Sequence, residues 1–207
     1  MARIALLGLA LAMASVGAAA QSSPDLPPGV FMGGKELADA RAGSYAIDPD
    51  HCAVLARVQH IGYSWSIFRF DRASGKLAWD PAAPERSTLT VAVETASIAT
   101  NVKGFAADLA GDQYLKSAKF PQATFVSTAF RRVDAMHGKV DGQLTLMGIT
   151  KPATFDVELV GAGKGWAEKP RLGVRATAAI DPTDFGLPAL FGKAIEIVVD
   201  TEFERTP

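Results

Sequence analysis

From Tyr45 onward the chain alternates apolar and polar residues with a period of two. Val54, Ala56 and Val58 alternate with Leu55, Arg57 and Gln59, and Leu89, Val91 and Val93 with Thr90, Ala92 and Glu94. Phe155, Val157 and Leu159 alternate with Thr154, Asp156 and Glu158, and Ile195, Ile197 and Val199 with Glu196, Val198 and Asp200. Successive side chains of a strand point to opposite faces, so each run predicts a strand with one apolar and one wet face. Strands are expected near 45–48, 53–61, 65–71, 76–80, 87–94, 123–132, 139–147, 153–160, 171–180 and 194–203, some being halves of one bent strand. Turn signals at Ser74-Gly75, Asp134–Gly138 and Gly148–Lys151 separate them. The exception is 101–117, where Val102, Phe105 and Leu109 recur at helical spacing and predict one or two short helices. About eight antiparallel strands must hide their edges, which a closed barrel or a sandwich does. The polar faces carry Asp156, Glu158, Arg175, Glu196 and Asp200, and no aromatic girdles are visible. That pattern fits a wet exterior around an apolar interior better than a membrane barrel.

The alternation begins late. Residues 1–20 show Arg3, an apolar run from Ile4 to Met13 and Ala18-Ala19-Ala20. This is signal-peptide grammar, too short to span a bilayer, and predicts cleavage after Ala20 and export. Cleavage leaves 20 basic against 22 acidic residues, a net charge of −2. Residues 21–43 are rich in Pro and Gly and read as a linker, with a short helix around Lys35–Arg41. The full chain of 207 residues is 48% hydrophobic, which excludes a disordered chain. Its near-neutral charge offers no footprint for nucleic acid. Cys52 is the one cysteine, which excludes an intramolecular disulfide; its thiol is expected to be buried or to pair between chains.

Motifs that carry chemistry are mostly missing. Gly62-Tyr63-Ser64-Trp65-Ser66 lacks the second glycine of a nucleophile elbow. Gly33-Gly34-Lys35 is too short to cradle a phosphate. His51 and Cys52 are adjacent on a strand and so point to opposite faces. His51, His60 and His137 have no zinc-motif spacing. The expectation is therefore no catalytic residue, no metal and no catalytic cofactor. A hydrolase cleft near Ser64 and His51 is one alternative. An interaction module with a merely packed interior is another, since a packed core and a lined cavity need the same inward alternation.

Several strings occur in order: Tyr45-Ala-Ile-Asp-Pro-Asp-His51, Val58-Gln-His-Ile-Gly-Tyr-Ser64, Gly75-Lys-Leu-Ala-Trp-Asp80 and Ala96-Ser-Ile-Ala-Thr100. They continue with Tyr114 through Ser127, which contains Lys119-Phe120-Pro121, then Gly142-Gln-Leu-Thr-Leu-Met-Gly-Ile-Thr-Lys-Pro152 and Asp184-Phe-Gly186. Over residues 44–204 the chain resembles the YceI-like family of bacterial periplasmic proteins. The resemblance implies an all-β, extended, lipocalin-like antiparallel barrel with no enzymatic activity. It also implies a polyprenyl phosphate or isoprenoid quinone in the bore, for transport, storage or sequestration. Pro182-Thr183 stand where the family often has a basic residue before Asp-Phe-Gly, and the segment before Lys119 is shorter than in many members. Transient contact with a membrane or membrane protein, and a homodimer, are left open.

Alternation assigns a lining for such a bore. Val54, Val58, Phe68 and Phe70 are expected to point inward from the first strands, and Leu89, Val91 and Val93 from the next. Phe125, Leu144, Leu146, Phe155, Val157, Ile180 and Ile197 follow. Phe185 and Phe191, in loop 181–192, are expected to close one mouth.

Overall fold

The computed structural model describes residues 26–165 and 168–207. The expected signal peptide lies outside them. Among the described residues, ten antiparallel strands form one sheet: β1 (Gly43–His60), β2 (Ser64–Phe70), β3 (Ala73–Trp79), β4 (Thr88–Glu94) and β5 (Ile98–Ala99), then β6 (Gln122–Arg132), β7 (His137–Leu146), β8 (Ile149–Lys164), β9 (Pro170–Ile180) and β10 (Ile195–Arg205). The sheet closes because β10 pairs with both β9 and β1. β2 pairs with the second half of β1 and β3 with the first, so β2–β3 is one bent strand. β4 pairs with β3 and β5 with β2 in the same way, which leaves eight staves. The 45–48 and 53–61 segments are likewise one strand, β1, interrupted by an irregularity between Ile47 and Cys52.

Side-chain alternation decides the inside. Along β8 every even residue from Pro152 to Val160 is exposed, whereas Lys151, Ala153, Phe155, Val157 and Leu159 are half-buried. The outer face carries ion pairs such as Arg57–Glu196 at 2.6 Å and Arg131–Asp141 at 2.7 Å. That wet exterior is the opposite of a lipid-facing barrel. Among the described residues, no helix is long and apolar enough to cross a membrane.

The two ends differ. One is sealed by α1 (Phe105–Ala110), the loop after it and loop 181–194. There Leu109, Leu115, Phe185, Leu187 and Phe191 are buried with Val58, Phe68 and Ile195 in one cluster. Phe68, Phe105, Tyr114 and Phe191 follow one another across this cap with ring centroids 5.5–6.5 Å apart. Val102, expected on the helical stripe, is exposed. At the other end Tyr45, Ile47, Leu77, Leu172 and Phe203 form a second cluster, which the N-terminal segment covers. That segment is more than a linker. Gly34 pairs with Ala162 through bonds of 2.7 and 2.9 Å, Leu37–Asp39 form a 3-10 turn, and Ala40 is fully buried.

Candidate ligand-binding cavity

Between the two clusters runs a cavity of about 320 Å³, in the range of ligand sites. On β10 its wall extends from Ile195 to Phe203. Eight residue steps at about 3.4 Å make about 27 Å along the strand. A barrel-strand tilt near 40° reduces that to about 20 Å along the axis. Fifteen of the sixteen residues expected to line or close the bore are on the wall: Val54, Val58, Phe68, Phe70, Leu89, Val91, Val93, Phe125, Leu144, Leu146, Phe155, Val157, Ile180, Phe191 and Ile197. Phe185 is the exception: on the 3-10 turn Pro182–Phe185 it is buried within the cap cluster that closes this end, and so it does not reach the wall. Near the middle, Phe125 and Phe155 meet edge to face with centroids 5.0 Å apart.

Alternation missed residues toward the second end: Ile47, Leu77, Trp79, Phe130, Leu172 and Phe203. Three irregularities explain part of this. Inward parity switches between Ile47 and Cys52 on β1, between Ser127 and Ala129 on β6, and between Leu159 and Gly161 on β8. A bulged strand inserts an extra residue, so a period read from one half inverts in the other.

Apart from Thr95, Thr124 and Thr201, the wall is apolar except at one place. Arg131, Arg132, Asp134, Ala135 and His137, around the β6–β7 turn, are its exposed residues among those described. The cavity therefore meets water at this turn, framed by Leu37, Trp79 and Pro84. Arg131 grips Asp141 with two bonds of 2.7 Å, and Lys139 pairs with Asp156. The Arg131 guanidinium and the Thr154 hydroxyl hold the Asp141 carboxyl at about 2. Asp134 accepts from the Met136 and His137 N–H groups at 2.8 Å, which keeps its carboxyl below the ordinary range.

The residues considered for catalysis are not assembled. Ser64 pairs with His60, nine residues along β1 from His51, a separation of about 30 Å at strand rise. His51 instead bonds Asp48 at 2.9 Å on the outside of the barrel. Asp48, His51 and Glu202 bring potential ligand atoms within 4.8 Å of one another. Arg171 already supplies the cation there, bonding Asp48 at 2.6 Å, Glu204 at 2.9 Å and Glu202. Burial opposes ionisation of Asp48, but the bonds from His51 and Arg171 outweigh it and lower its pKa. Cys52 lies half-buried on the cavity wall, where desolvation pushes its thiol up despite a bond with Thr201. A thiol on the inner wall is not presented to a second chain.

Comparison with known proteins places this geometry. A family model described as a YceI-like domain matches residues 45–203. Protein YceI of Escherichia coli O157:H7 is 34% identical over 169 residues, covering 79% of this chain and 87% of that protein. The structure of a Campylobacter jejuni YceI protein is similar with a TM-score of 0.65 at 26% identity, covering 72% of this chain and 91% of that one. A polyisoprenoid binding domain from Saccharophagus degradans, implicated in plant cell wall breakdown, shares the fold with a TM-score of 0.58 at 14% identity. It is covered in full by 80% of this chain.

Proposed function

We propose, from the premise that this chain belongs to the YceI-like family, that its barrel encloses the tail of an isoprenoid lipid. The observation that carries this reading is the cavity, whose wall is predominantly apolar from Phe191 at the cap to Phe130 near the mouth. An isoprenoid tail presents only apolar surface, and each of its CH₂-sized groups removed from water contributes about 0.8 kcal/mol. Ordering the chain offsets part of that gain. The fold shared with a polyisoprenoid binding domain supports the choice of ligand. On this reading the protein transports, stores or sequesters its lipid without catalysis, exchanging it by transient contact with a membrane. Arg3, the apolar run and Ala18-x-Ala20 support action outside the cytoplasm, in the periplasm. N-terminal sequencing should then begin at Gln21, and a retained Met1 in a membrane fraction would refute export.

The decisive experiment is organic extraction of the purified protein followed by mass spectrometry. The expected result is a long-chain isoprenoid in near-stoichiometric amount. Ester turnover that vanishes in Ser64→Ala would instead establish a hydrolase. No lipid recovered from native material would favour an interaction module.

A further inference from the structure

The cavity has a wet end and a dry end, so a bound amphiphile has a direction. Its apolar terminus belongs against Phe191, Tyr114 and Leu115, and its polar end belongs at the β6–β7 turn. The side chains there are not equivalent. Arg131 is committed to Asp141, Lys139 to Asp156, and the His137 ring to Asp134 at 3.0 Å. Arg132 alone among these basic side chains has no carboxylate partner among the described residues. Its Nε donates to the Asp134 carbonyl at 2.9 Å, and the two terminal nitrogens remain.

Register places Arg132 on the inner face. Phe130 pairs with Val140, and both line the cavity. Two residues on, Arg132 pairs with Gly138, which in turn pairs with Val157 of the wall. Gly138 contributes no side chain to that row, so no side chain opposite Arg132 competes for its guanidinium. The carboxylate nearest in sequence, Asp134, is occupied by the N–H groups of its own turn. A guanidinium fork with free N–H groups at the rim of an apolar bore matches a phosphate, whose oxygens accept two parallel bonds.

We propose that the β6–β7 turn is a headgroup site, in which Arg132 binds the phosphate of a polyprenyl phosphate whose tail fills the bore. The proposal rests on the carrier reading and adds direction and headgroup class to it. A neutral quinone ring would gain less from the same arginine.

The test uses the whole folded protein, stripped of endogenous lipid, with geranylgeranyl monophosphate, geranylgeraniol and inorganic phosphate as probes. At low salt the monophosphate should bind about fivefold tighter than the alcohol, the scale of one partly exposed ion pair. High salt should shrink the gap. Arg132→Gln should lower monophosphate affinity to about that of the alcohol. Lys103→Gln removes the same charge in the loop before α1, at the capped end, and should keep the gap. Equal binding of the two lipids by the natural protein, or a gap that survives Arg132→Gln, would overturn the headgroup site while leaving the carrier intact. Arg132-dependent binding of inorganic phosphate alone at comparable affinity would show a free-anion site and overturn it too. Binding of neither lipid would overturn the carrier and the headgroup site together.

Discussion

Phe155 and Asp156 are neighbours on β8 with opposite surroundings. Phe155 lies on the cavity wall against Phe125, and Asp156 is exposed and paired with Lys139. Phe155→Asp sets an unpaired carboxylate into the apolar wall, which costs several kcal/mol if ionised. The expected product keeps a β-rich circular dichroism spectrum, melts at lower temperature and retains little lipid; a full lipid complement would show that Phe155 does not touch the ligand. Asp156→Ala removes one exposed pair and should change stability by less than about 1 kcal/mol. A second residue prediction concerns acid. Arg131 holds the Asp141 pKa at about 2, below its ordinary 3.8. A depressed folded-state pKa gives stability that is present above the ordinary value and lost as pH falls toward 2. Asp141→Asn should therefore melt lower than the natural protein at pH 5, by a small margin at this exposed site, and the margin should vanish near pH 2. At this scale the lining was legible wherever an acid marked the wet face, as Asp156 does for Phe155. Phe130 and Arg132 were not legible, because the irregularity between Ser127 and Ala129 shifts their parity and nothing in the local composition announces it.

Among the elements, the β7–β8 hairpin holds the most specific string in the sequence, and its residues serve packing. Met147 and Gly148, both at positive φ (49° and 76°), make the two-residue turn, the backbone a tight hairpin requires. Thr145 and Thr150 bond across it at 2.8 Å. A Cβ on Gly148 would sit 2.8 Å from the Phe120 ring, so the Lys119-Phe120-Pro121 string packs against this one. Lys151 reaches Asp184 at 3.5 Å, which ties in Asp184-Phe-Gly186 as well. Three strings far apart in sequence thus fasten the same end of the barrel. Gly142, in the same hairpin, faces Phe125. A Cβ there would lie 2.4 Å from the Phe125 ring and 2.5 Å from the Val126 carbonyl. Gly142→Ala should destabilise the fold by about 1–3 kcal/mol, the cost of overpacking, readable as a lower urea midpoint. An unchanged midpoint would mean that the ring moves aside freely. Strand existence and the helical insertion were readable from periodicity. The joining of β2 with β3 and of β4 with β5 into bent staves was expected only in outline, because register depends on partners distant in the chain.

For the whole molecule, the docked N-terminal segment shows where composition misleads. Pro and Gly signal a linker, yet Ala40 is fully buried and Leu37 joins the cavity wall. The architecture itself was legible, since about eight amphipathic strands have few ways to hide their edges. The ring is completed by β1 against β10, from Tyr45↔Arg205 to Val58↔Ile195. These partners stand at opposite ends of the barrel sequence, so their meeting demands loop closure over almost the entire domain. Folds dominated by such non-local contacts refold in milliseconds to seconds. Stopped-flow refolding of the lipid-free protein should fall in that range, and a microsecond phase carrying the full amplitude would contradict it. During synthesis the eleven residues of β10 follow the other nine described strands. Until they arrive, β1 and β9 each keep an unpaired edge open to aggregation. The time spent in that unclosed state, rather than the depth of the final energy well, should set how often this chain needs a chaperone.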